Sequence, residues 1–224
     1  MEKLGKSKIY FAALILMAGP FYLNDFANIY VKSWQWWLFI DYAVVKLFPV
    51  LVMLWLIRSK AMQASEFGLS IQPVLPFFTV FSALTVVGTL IDQNAYQLMA
   101  KLPGNSPLGG MPDITSPFWN WIDLTLGLAM VAIVEEIVFR GYLHTFLGRF
   151  TQNPVAIVML SSALFGLIHW SLGLHAIVIT ASIGAIFMIA YIKTRSLPAI
   201  MLAHFAVNFI DYAGVIPKSI FKFL

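Results

Sequence analysis

Long apolar stretches recur along this chain at about 9–30, 36–57, 74–91, 118–147, 154–170, 174–192 and 197–214, and little sequence is left between them. A helix of about 20 apolar residues crosses the hydrocarbon core of a bilayer. A backbone inside lipid must satisfy its own hydrogen bonds, so helices are the expected element. The expectation is therefore an all-α polytopic transmembrane helix bundle with about seven spans (six to eight), forming a single transmembrane domain over 1–224. Composition agrees, with 60% hydrophobic and 11% charged residues, far outside the soluble range. The 14 basic residues lie singly or in small groups between apolar runs, so the net charge of +4 reads as membrane topology and not as nucleic-acid binding. Cysteine is absent, which excludes thiolate chemistry and disulfides.

Two helix starts are written most clearly. Ser116-Pro117 and Asn153-Pro154 each place a polar N-cap before a proline whose missing N–H costs nothing at that position. The first apolar run follows Lys3, Lys6 and Lys8 and lacks a small-residue cleavage site after Gly19-Pro20, so an uncleaved first helix is expected. With the N-terminus in the cytoplasm, Arg58, Lys60, Arg149, Lys193 and Arg195 fall inside, and Lys32, Lys101, Lys218 and Lys222 fall outside. The positive-inside rule favours that orientation in a multi-pass protein of the cell membrane. The Pro- and Gly-rich segment from Asp92 to Pro117 becomes an external loop. Trp34-Gln35-Trp36-Trp37 and Trp119-Asn120-Trp121 stand at span ends and read as interfacial anchors.

Ionised side chains inside a membrane helix cost at least about 2.5–3.5 kcal/mol, so each needs a partner or a task. Glu135-Glu136-Ile137-Val138-Phe139-Arg140 lies within an apolar run. At about 100° per residue, Glu136 and Arg140 share a helical face while Glu135 points elsewhere. Glu136 to Arg140 is the favourable order for an i,i+4 pair, and His144 extends the same stripe. A bundle salt bridge accounts for that pair, but it does not account for Glu135. Farther on, Phe165 and His169 stand one turn apart, and His204 and Asn208 share one face of the last run. One unpaired carboxylate, two imidazoles and an amide on separate helices suit hydrolysis. The carboxylate takes a proton from water, a histidine orients that water, and His204 with Asn208 donates to the oxyanion. Counted along the helices, Glu135 and His169 lie at similar depth, whereas His204, close behind Leu197, comes out shallower.

These motifs, in this order and on separate spans, resemble the CPBP family of CAAX-processing and bacteriocin-processing (Abi) membrane proteases. The pattern is Glu-Glu-x-x-x-Arg, Phe-x-x-x-His and His-x-x-x-Asn, met here at Glu135, Glu136 and Arg140, at Phe165 and His169, and at His204 and Asn208. A Glu66-Phe67-Gly68-Leu69 segment before the third span is similar to one found in many members. The resemblance implies a helical catalytic core over about 118–214. It also implies cleavage of a peptide bond near the membrane-associated end of a protein or peptide substrate. By position, Glu135 becomes the general base, His169 its partner on the water, and His204 with Asn208 the oxyanion site. Glu136, Arg140 and Phe165 become supporting residues.

No cofactor is expected. Zinc could be held by two histidines and Glu135, but the His-Glu-x-x-His arrangement is missing, and no second carboxylate would remain as base with Glu136 turned to Arg140. A glutamic-type mechanism is preferred over a metallo-type one. Two other readings fit the same letters. One is a small transporter or channel using Asp41, Lys46, Asp123, Glu135, Glu136, Arg140 and Asp211; the other is a catalytically inert immunity or scaffold protein on the protease fold. His175, after the Ser171-Leu172-Gly173 turn, reads as interfacial.

Overall fold

Apolar runs with helix-compatible composition become helices, and proline stands in the first turn of three of them. The computed structural model describes residues 2–69, 74–99 and 106–216. The described chain forms helical rods that we number α1 (Glu2–Tyr30), α2 (Trp34–Arg58), α3 (Val74–Met99), α4 (117–147), α5 (Pro154–Leu167), α6 (Leu174–Thr194) and α7 (Leu197–Ala213). Short 3₁₀ turns stand at Ala64–Phe67 and Trp170–Leu172, and there is no strand among the described residues. Helices over Ser7–Tyr30, Trp34–Arg58 and Leu174–Thr194 are long and apolar enough to cross a membrane. Large apolar side chains such as Phe11, Leu51 and Met159 face outward, as lipid-facing groups do in a membrane protein.

Helices α5 and α6 form an antiparallel hairpin, α3 packs on both α6 and α7, and α4 runs through the middle against α1, α2 and α7. Pro117 and Pro154 occupy the first turns of α4 and α5 as expected. Asn153 caps in fact, its Oδ1 accepting from the N–H groups of Val155 (2.9 Å) and Ala156 (3.4 Å). Ser116 marks its boundary without a side-chain cap bond, so there proline alone carries the signal. The third helix runs to Met99, past the expected end at residue 91, so Asp92 and Gln93 belong to a helix and not to the external loop. The described part of that loop beyond the helix, 106–116, lies folded against the bundle. Lys101, Lys218 and Lys222, assigned above to the outer side, lie outside the described residues.

Three π-helical segments, Asp41–Leu47, Asp123–Gly127 and Ile137–Tyr142, interrupt α2 and α4. An i→i+5 turn brings residues five apart into line, where an α-helix would separate them by about 140°. It lets Lys46 pair with Asp41 on its own helix, while Asp123 of α4 approaches the same ammonium at 3.8 Å. Tyr42 donates to Asp123 (3.1 Å) and lies beneath Lys46. The result is a buried clamp between α2 and α4.

The Glu66-Phe67-Gly68-Leu69 segment docks on the third of these π-segments. Phe67 is fully buried against Tyr142, whose hydroxyl donates to the Tyr10 carbonyl (2.6 Å), and Tyr10 in turn donates to Glu66. Gly141 is required there, because a Cβ on it would collide with the Phe67 carbonyl. We expect Gly141→Ala to destabilise the fold by about 1–3 kcal/mol. Thermal unfolding of purified protein in detergent checks this, and an unchanged melting curve would contradict the packing.

Candidate active site

Helix α4 presents its two adjacent acids to different surroundings, as the 100° rotation between neighbours requires. Glu135 lines a cavity of about 850 Å³. Glu136 is fully buried behind it. One carboxylate oxygen of Glu136 stands 3.0 Å from Arg140 Nε, and the other accepts from His204 Nδ1 at 2.7 Å. The expected pair is present, with His204 as an additional partner on the other oxygen. The carboxylate can only accept, so its bond fixes a proton on Nδ1 and turns Nε2 toward the cavity. There Nε2 stands 3.7 Å from Glu135 Oε2. Glu135 is thus not without a neighbour, as intrahelical geometry alone suggested; its neighbour comes from α7.

Arg140 is almost wholly buried, with its guanidinium 3.9 Å from the centre of the Phe165 ring and 5.6 Å from that of Phe187. The two rings flank a charge that water cannot reach. Phe165 also meets both imidazoles edge-on, His169 at 5.7 Å and His204 at 6.1 Å between ring centres. It holds that place because Gly166 lets α5 approach the α6 backbone at Ile177 more closely than a Cβ would allow.

His169 lies beyond the end of α5, which stops at Leu167, and not on the span expected over 154–170. Its backbone (φ −107°, ψ 27°) leads into the 3₁₀ turn Trp170–Leu172. His169 and Asn208 both line the cavity together with Glu135 and His204. The start of α7 is enclosed by the bundle, with Ser196 1% exposed and Leu197, Ala199 and Ile200 fully buried, and His204 reaches the same cavity. All four candidate residues therefore face one space.

His144 departs from its expected stripe. Its Nδ1 stands 3.2 Å from an Arg195 nitrogen and its ring packs edge-on against Tyr191, so it pairs with the end of α6 and not with Arg140. His175 lines the cavity instead of an outer interface. Trp37, read above as an anchor, is buried and donates to Asn28 Oδ1 at 2.8 Å, while Trp36, Trp119 and Trp121 are exposed as anchors should be. Sequence reasoning also passes over Asp25 and Asn28. Both are buried in α1 and bonded to the turn that follows His169. An acid inside the first apolar run was the available signal.

Comparison with known proteins places this geometry in context. Residues 117–210, from the start of α4 to near the end of α7, match the model of a family described as Rce1-like, type II CAAX prenyl endopeptidase. No curated protein and no solved structure matches the chain significantly.

Proposed function

We propose, from the match of residues 117–210 to the family described as Rce1-like, type II CAAX prenyl endopeptidase, that the chain is a glutamic-type intramembrane endopeptidase with Glu135 as its general base. The observation that carries the reading is the convergence of Glu135, His169, His204 and Asn208, from three separate stretches of chain, on one cavity. Glu135 takes a proton from a water held between it and His169, and the water oxygen attacks the peptide carbonyl carbon. Negative charge on the carbonyl oxygen is met by donors from His204 and Asn208. Collapse breaks the C–N bond, the proton held by Glu135 passes to the leaving amine, and a new carboxylate and amine depart. The oxyanion role requires a proton on His204 Nε2 as well as on Nδ1, and Glu136 behind Nδ1 supplies the counter-charge.

A metal is not invoked. The sequence has no His-Glu-x-x-His arrangement to supply two ligands and a base together, and Glu136 is engaged by Arg140 and His204, so no step is routed through a metal. Hydrolysis is also favoured over an ion path by how the other charges are engaged. At the cavity wall Asp41, Lys46 and Asp123 pair with one another, Glu136 is held by Arg140 and His204, and Asp211 accepts from Gln93 at 2.8 Å. We assign the seven helices to seven spans with a cytoplasmic N-terminus in the cell membrane. The basic residues at the ends of α2, α4 and α6 then lie inside.

A membrane-associated peptide or protein is the proposed substrate, approached from the bilayer. Purified protein in lipid vesicles, given prenylated and unlipidated anchored peptides, should cleave, with products identified by mass spectrometry. Asn208→Ala should lower kcat by about 10²–10³ with little change in KM, since the amide acts on charge that appears only in the transition state. An Asn208→Ala rate equal to wild type would remove it from the oxyanion site.

A further inference from the structure

His169 follows the end of α5 with its own N–H reaching the Gly166 carbonyl at 3.1 Å, and past it the backbone leaves the helix for the 3₁₀ turn. Among the described residues no side chain hydrogen-bonds its enclosed Nδ1, and the ring lies edge-on to Phe165, one turn back, whose backbone also bears on it. Its aim is set by the backbone on both sides, and the side that follows is gripped at Ser171. The Ser171 N–H donates to Asp25 Oδ2 at 2.6 Å, and its hydroxyl accepts from Asn28 Nδ2 at 3.3 Å. Its carbonyl accepts from the N–H groups of Leu108 (2.7 Å) and Gly109 (3.2 Å). Leu172 N–H returns to the His169 carbonyl at 3.2 Å, which closes the turn on the histidine itself. On the far side, Asn28 donates to Asp25 Oδ1 (3.0 Å) and accepts from Trp37 Nε1 (2.8 Å), so the carboxylate is oriented from α1 and α2 together.

We infer that Asp25 is a positioning residue for His169, holding from α1 the turn that aims the imidazole into the cavity; the catalytic part of this rests on the proteolytic reading above. An acid in an apolar helix needs a partner or a task. Here the partner is a backbone N–H that a leucine would leave unsatisfied, two residues past the histidine. The external segment 106–110 is tied to the same node, since Gly110 N–H donates to the Asn28 carbonyl at 3.1 Å. Displacing the turn therefore moves His169 relative to Glu135 without altering either group.

The test uses the full chain in lipid vesicles with Asp25→Leu and Asp25→Asn, the second keeping an oxygen that accepts from Ser171. Asp25→Leu should lower kcat by about 10- to 100-fold while KM stays within about twofold, because geometry at the reacting atoms is lost and binding is not. Asp25→Asn should recover most of that kcat. The imidazole NMR signal of His169, assigned by its loss in His169→Ala, should shift in Asp25→Leu and return in Asp25→Asn. Wild-type kcat in folded Asp25→Leu overturns the proposal, and so does an unmoved His169 signal. Should Asp25→Leu fail to fold, Asp25→Ser is read against the same outcomes. If the wild type cleaves no peptide, or Glu135→Gln cleaves as fast, the proteolytic reading falls instead, and the His169 signal still decides the positioning.

Discussion

Glu135→Gln should lower kcat for peptide cleavage by about 10²–10⁴ while the protein remains folded. The amide keeps the size of the side chain and still fits the cavity wall beside His204 Nε2, so packing is preserved. It cannot take a proton from water, and that is the whole of the expected loss. Stability should stay level or rise, because a largely buried carboxylate whose ion-pair contact among the described residues is a 3.7 Å approach to an imidazole does little for the fold. Steady-state kinetics in vesicles and thermal unfolding in detergent read the two effects separately. A parallel fall in both would make Glu135 a structural acid.

The neighbouring acid should behave in the opposite way. Glu136→Gln leaves the buried Arg140 without its counterion, and breaking one side of such a pair costs about 3–5 kcal/mol. Folded yield and melting temperature should drop together with activity. Because Glu136 holds His204 as well as Arg140, the two functions can be separated. In Glu136→Gln/Arg140→Met the stranded charge is gone and methionine still packs between Phe165 and Phe187, so stability should largely return. Activity should not return, since His204 Nδ1 still lacks its carboxylate. A double variant that regains both would reduce Glu136 to a salt-bridge partner.

How far the letters reach depends on the range of each interaction. Helices were legible because lipid-length apolar runs have few alternatives, and Asn153-Pro154 fixed a boundary through contacts two and three residues away. The Glu136–Arg140 pair was legible for the same reason, being set by rotation along one helix. Contacts between helices were not legible. Nothing near Glu136 announces His204, 68 residues later, and nothing near Asp25 announces the Ser171 N–H, 146 residues away. The π-turn that pairs Asp41 with Lys46 was hidden because five-residue spacing is unfavourable on the α-helix a reader assumes. His144 misled because its spacing from Arg140 was right while Arg195, brought close by the turn before α7, offered a nearer partner. For the candidate site, the ordered motifs named the residues, and the tertiary contacts add how His204 stands between two carboxylates.

The central claim, that Glu135 activates water for peptide hydrolysis, meets its most direct test in cleavage of an anchored peptide in water labelled with heavy oxygen, wild type beside Glu135→Gln. The account predicts that wild-type product carries the label in its new carboxylate and that the variant forms it at least about a hundredfold more slowly. Labelled product from Glu135→Gln at the wild-type rate would contradict it.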